Sequence, residues 1–150
     1  MKHDYSSRSK AREIAVSTLY SLDFNGELDS YNDYSTFPGM TEEEMMRLEE
    51  VEKSYARLLV RGTLENRKEI DSIISSYSIN RPLEKISIVD RNILRISFFQ
   101  LLYQKEIPSA VVIDQGVKLS QVLSNDVSYK FINGILDKFV KDRKDDSAQE

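Results

Sequence analysis

Three cations stand at alternate positions near the start of the chain: Arg8, Lys10 and Arg12, within SSRSKAREIAVSTLYSLDF at residues 6–24. They open a segment with helical apolar spacing, and Ser7 or Ser9 has the chemistry to cap that helix. A helix start carries partial positive charge, so each cation in its first turn costs roughly 0.3–1 kcal/mol. Two readings compete. One is a solvated helix start, with Arg8 and Arg12 four residues apart on one face and repelling slightly. The other is a phosphate site, where free N–H groups at the helix end receive an anion and the side chains add charge and bidentate contacts. In that case the ligand relieves the cost at the dipole. Further along, Tyr20 is either a stacking face for an unpaired base or a tyrosine packed at the edge of the core.

A second constellation is Lys130-Phe131-Ile132-Asn133-Gly134. Glycine inside a helical pattern costs about 1 kcal/mol relative to alanine, so Gly134 serves either close helix packing or the approach of a ligand. By the packing reading, Phe131 is core and Lys130 a surface lysine. Asp90, Arg91 and Arg95 interrupt the most apolar segment of the chain, and pairing of the arginines with Asp90 or Glu84 is the expected structural role. The acidic clusters, such as Glu42 to Glu44 and Glu49-Glu50, read as solvated faces. No carboxylate pair sits in apolar sequence as a general acid and base would, and there is no glycine-rich phosphate loop. An enzyme is not expected.

Composition narrows the chemistry further. The chain has 150 residues, no cysteine and a single histidine, His3. Disulfides, catalytic thiols, Ser-His-Asp catalysis and zinc sites built on two His or Cys ligands are thereby excluded. No cofactor or metal is expected. No apolar run approaches a membrane span and the N-terminus lacks a signal-peptide pattern, so a soluble cytoplasmic protein is the expectation. Charge is uneven: residues 1–12 hold Lys2, Arg8, Lys10 and Arg12 against Asp4, a net +3, which leaves −7 on the rest of a chain of net charge −4. A basic patch on an acidic body points to a polyanion at one place and a basic partner at another.

The elements that must position these residues are all helical. Ala11, Ile14, Ala15, Leu19 and Leu22 give the first helix its buried stripe. Residues 25–40 are rich in turn formers and read as a loop. Thr41 with Glu44 makes a capping box that opens helical sequence to about Ser78, with Gly62 as a candidate break. The segment Ser78-Ile79-Asn80-Arg81-Pro82 marks a boundary, because the residue before proline avoids helical dihedrals. Ile88 to Tyr103 is apolar nearly all round, as a central helix should be. Another helix begins after Ile107-Pro108, with Gly116 and Ser120 on one side. The last carries Phe131, Ile132, Ile135, Leu136 and Phe139, and residues 143–150 read as a frayed tail. No strand pair and no repeat is found. The expected fold class is all-α.

Four segments, taken in order and spacing, resemble the NusB family: SKAREIAVSTLYSLDF; EIDSIISSYSINRPLEKISIVDRNILRISFFQLLYQ; IPSAVVIDQGVKLS; and YKFINGILDKF. The resemblance covers Ser6 to Val140 apart from the variable 25–50 region. It implies about seven helices in two packed bundles, near residues 1–78 and 79–142. It also implies a transcription antitermination factor that binds single-stranded boxA RNA of ribosomal RNA operons. The partner would be NusE, a small-subunit ribosomal protein, within a Nus-factor complex on RNA polymerase. On this resemblance Arg8, Lys10 and Arg12, with Lys2 nearby, occupy the RNA-binding motif. Tyr20, Lys130 and Phe131 fall at positions that the family associates with RNA, and Glu84 and Asp90 match the acidic face that meets NusE. Asp114-Gln115-Gly116 stands where the family has Asn-Glu-Ala, and Gln100 where glutamate is common. Some family members form homodimers over the basic motif, and both monomer and homodimer stay open here. The competing class is a helical interaction module that binds NusE without useful RNA affinity.

Overall fold

The computed structural model describes the backbone of residues 2–149 and the side chains of residues 8–144. Its described residues form seven α-helices and one short 3-10 turn, and no strand. The chain divides into two compact units, Met1–Asn66 and Arg67–Glu150.

The first unit holds α1 (Lys2–Phe24), α2 (Glu42–Met46) and α3 (Glu50–Glu65). Helix α1 starts at Lys2, earlier than a cap at Ser7 or Ser9 would place it. It ends in a Schellman arrangement, where Gly26 takes a φ of 69°. There the Glu27 N–H donates to the Leu22 carbonyl at 2.7 Å and the Gly26 N–H to the Asp23 carbonyl at 3.1 Å. The loop that follows is held by its own side chains. Tyr31 donates its hydroxyl to the Thr36 carbonyl at 2.6 Å, and Asp33 accepts from the Ser35 N–H at 3.2 Å. Phe37 is buried and joins Ala11, Ile14, Leu48 and Ala56 in the unit's core. The Thr41–Glu44 capping box forms as its sequence indicates. Gly62 does not break α3; it lies buried within the helix. The helix stops instead at Asn66, whose side-chain amide donates to the Gly62 carbonyl at 2.8 Å.

The second unit holds α4 (Arg67–Tyr77), the 3-10 turn Leu83–Lys85, α5 (Ile88–Tyr103), α6 (Ser109–Leu123) and α7 (Ser128–Gln149). Helix α4 thus belongs to this unit although it precedes the Ser78–Pro82 boundary. Ile70 and Ile74 are fully buried, Tyr77 donates to Asp142 of α7 at 2.7 Å, and Asp71 pairs with Arg95 of α5. Helix α5 is central, burying Ile93, Leu94, Ile96, Phe98 and Phe99. Its contact with α6 and α7 runs past Gly116, where a Cβ would meet the Ser97 hydroxyl at 3.0 Å and a Leu136 methyl at 3.3 Å. A missing side chain is what allows that approach. Helix α7 continues to Gln149, through the segment that reads in sequence as a frayed tail.

Candidate nucleic-acid interface

Because α1 begins at Lys2, Arg8, Lys10 and Arg12 lie beyond its first turn. The macrodipole penalty has faded there, and so has the supply of free N–H groups. A phosphate at this place must be held by side chains alone. Arg8 and Lys10 are exposed, whereas Arg12 is only 3% exposed. Lys2 lies outside the residues whose side chains are described.

Arg8 and Arg12 face the same way, as their spacing requires, and both reach the ring of Tyr55 on α3. Their guanidinium carbons stand 5.5 Å and 6.0 Å from its centroid. The negative face of an aromatic ring attracts cations by about 0.5–1 kcal/mol at exposed sites and more where water is excluded. Tyr55 therefore offsets the repulsion between two like charges four residues apart. Nothing in the local pattern around Tyr55 says which helix faces it. Tyr20 is 39% exposed, and its ring stacks on Phe24 at 6.1 Å with an interplanar angle of 11°. It sits about 18 Å from Arg8 along the helix, at 1.5 Å per residue.

The remaining candidates lie in the second unit. Glu84 is exposed on the 3-10 turn. Asp90, expected on an acidic partner face, is 3% exposed. It sits in the first turn of α5, where its N–H donates to the N-cap hydroxyl of Ser87 at 3.2 Å, and its Oδ1 has no hydrogen-bond partner. The turn that caps α5 folds this side chain inward, so Asp90 is no part of an exposed acidic surface. Arg95 meets a carboxylate, as expected, and the one described is Asp71 of α4. Arg95 donates from Nε and one terminal nitrogen to the two carboxylate oxygens of Asp71, at 2.8 Å and 3.1 Å. Its other terminal nitrogen donates to Asn92 at 2.9 Å.

Lys130 is exposed and Phe131 half-buried. They border a groove of about 490 Å³ between the Ser78–Arg81 turn and α7, with Arg81 and Lys138 on its walls. Gly134 faces open space: a Cβ at this position would meet nothing within 4 Å, so helix packing is not its reason. A smaller cleft of about 210 Å³ gathers Lys105, Arg143 and Lys144 near the end of α5. Arg143 there donates to the Leu101 carbonyl at 3.4 Å, where a cation complements the helix C-terminus.

The structure thus brings Arg8 and Arg12 together over Tyr55 in one unit, and Lys130, Phe131 and Arg81 together in the other. Among the described residues no helix is long and apolar enough to cross a membrane. Comparison with known proteins fits this picture. The NusB family profile matches residues 9–141. A transcription antitermination protein NusB from Leptospira biflexa is 38% identical over 137 residues, covering 91% of this chain and 93% of the relative. One from a Nocardioides species is 36% identical, covering 92% and 96%. Among solved structures, NusB of T. maritima superposes with a TM-score of 0.77 at 31% identity, covering 89% of this chain and 90% of that one. A complex of the antitermination factors NusB and NusE with double-stranded RNA contains a chain of TM-score 0.76 and 28% identity, covering 91% and 97%. The helices, their order and the relatives agree over almost the whole length, and this chain belongs to the NusB family.

Proposed function

We propose that this chain is a transcription antitermination factor that binds the single-stranded boxA element of ribosomal RNA transcripts together with NusE. It acts in the cytoplasm within a Nus-factor assembly on RNA polymerase. The observation that carries this reading is the pair of exposed cations, Arg8 and Lys10, on a helix whose next cation, Arg12, is anchored over Tyr55. Relatives named as antitermination proteins, and a neighbouring structure that joins NusB, NusE and RNA, support it.

In this scheme Arg8 and Lys10 contact phosphates, with Lys2 extending the same basic segment. Arg12 acts through Tyr55 and positions Arg8 rather than touching RNA. Tyr20 offers its outer ring face to a base, and Lys130 and Phe131 contribute from the second unit. Glu84, exposed on its turn, is the acidic contact for NusE. The burial of Arg12 favours one competing reading, an interaction module that binds NusE without useful RNA affinity, because it removes a cation from the motif.

A salt titration separates the two. Fluorescence anisotropy with a labelled boxA-like RNA, with and without NusE, should give binding that weakens with salt. With Arg8, Lys10 and Lys130 on phosphates, the logarithmic slope should be about −2. NusE binding without any RNA signal would establish the interaction module instead.

A further inference from the structure

The groove between the Ser78–Arg81 turn and α7 has features that the RNA reading of Lys130 and Phe131 does not by itself require. Arg81 stands over the Phe131 ring at 4.5 Å, closer than the 5.4–6.0 Å of the other arginine–ring pairs described. It is held there by a turn closed from both sides. The Ser78 hydroxyl donates to the Arg81 carbonyl at 2.7 Å, and the Arg81 N–H donates to the Ser78 carbonyl at 3.3 Å. Pro82 follows with φ of −57°, which stiffens the exit from the turn. Arg81 covers one face of the phenyl ring, and both groups line the groove.

The opposite wall is a track on α7. Lys130, Gly134 and Lys138 recur at every fourth residue and so share one face, spanning about 12 Å of helix. Gly134 leaves the floor between the two lysines clear. No carboxylate lines the groove, and Arg81, Lys130 and Lys138 have no ion-pair partner among the described residues. An open, uncompensated cationic groove with a stacking plane at one side matches an unpaired nucleotide: a flat π-system joined to a phosphate.

We propose that this groove seats one unpaired nucleotide of the bound RNA, its base stacked on the Arg81 guanidinium and its phosphate held between Lys130 and Lys138 across the gap at Gly134. Arg81, Gly134 and Lys138 are thereby added to the RNA-binding residues, and Phe131 becomes the support for Arg81 rather than the stacking surface itself. The inference rests on the RNA-binding reading above and assigns one subsite within it.

The test is RNA anisotropy with NusE present, at several salt concentrations, on the full chain and three variants, with a thermal melt of each. Arg81→Lys keeps the charge and loses the plane. It should bind about tenfold more weakly with an unchanged salt slope, as expected for loss of one base stack. Lys138→Ala should weaken binding several-fold and make the slope shallower by less than about 0.7, since Lys130 stays on the same phosphate. Gly134→Leu should lower RNA affinity while its melting temperature stays at or above that of the parent, an outcome that a purely structural glycine would not produce. Wild-type affinity and slope in all three variants, with salt-dependent RNA binding by the parent, would overturn the subsite and leave the RNA reading standing. So would loss of NusE affinity with RNA affinity intact, which would assign the groove to the protein partner. Absence of RNA binding by the parent would overturn both.

Discussion

Helix α1 of the first unit and α5 of the second each bury an arginine, Arg12 at 3% and Arg95 at 4% exposure. The contacts described for each differ. Arg95 is gripped by two carboxylate oxygens of Asp71 and by Asn92, a fixed fork matched to fixed acceptors. Arg12 shares the ring of Tyr55 with Arg8, which is exposed. The first arrangement ends in the interior and ties α4 to α5. The second reaches the surface, so a change at a buried position is felt by a cation that solvent and ligands can touch. Burial of an arginine does not by itself separate a structural role from a binding one; what its neighbours do separates them.

Removing the buried partner of this ion pair costs most. Arg95→Ala should destabilise the fold by about 3 kcal/mol, because the part-buried Asp71 keeps only Arg67, at 3.9 Å. Urea unfolding measures this. RNA affinity at a temperature where the variant is still folded should equal that of the parent, and a specific loss of RNA binding would break the comparison. Arg12→Ala should cost about 2–3 kcal/mol through lost packing and lost contact with Tyr55. Unlike Arg95→Ala, it should also weaken RNA binding in the folded protein, because Arg8 loses its fixed place. Equal RNA affinity in this variant and the parent would make Arg12 structural in the same sense as Arg95.

The two glycines of the second unit offer the same contrast between a closed and an open place. Gly116→Leu should destabilise by about 1–3 kcal/mol, since the new side chain must displace Ser97 and Leu136. Gly134→Ala should instead stabilise by up to about 1 kcal/mol, from helix propensity alone, and thermal melts of the pair should move in opposite directions. The smallest change is expected at the exposed cation. Arg8→Ala should shift stability by less than about 0.5 kcal/mol. It should also make the salt dependence of RNA binding shallower by about 0.7. An unchanged slope would remove Arg8 from the phosphate contacts.

Much of the fold could be read from local pattern. The apolar spacing of α1, the Thr41–Glu44 capping box, the turn-rich loop and the all-round apolar α5 each depend on residues a few positions apart. Helix ends were less legible. Residues 2–7 carry no apolar stripe to announce a helix, and Gly62, an apparent break, lies in the interior of α3 where burial outweighs its propensity cost. Of the candidate site, the residue types on α1 and near the start of α7 were visible. Their accessibility was not: Arg12 and Asp90 look like surface charges in sequence and are buried in the structure. Tyr55 and Arg81 gave no local signal, because each acquires its role from a ring or cation far away in the chain.

Composition and local pattern alone carry the helical class, the order of the elements, the lack of cysteine and the basic start of an otherwise acidic chain. All of these follow from composition or from periodicities shorter than two helical turns. Packing of the helices settles that Arg95 meets Asp71 and that Arg12 lies over Tyr55, which glycine permits close approach and which borders a groove, and which charges stay in contact with water. Those properties depend on pairs of residues brought together from distant parts of the chain. Periodicity tells that a helix has a face to bury, but the identity of the surface it meets is set only when the helices pack.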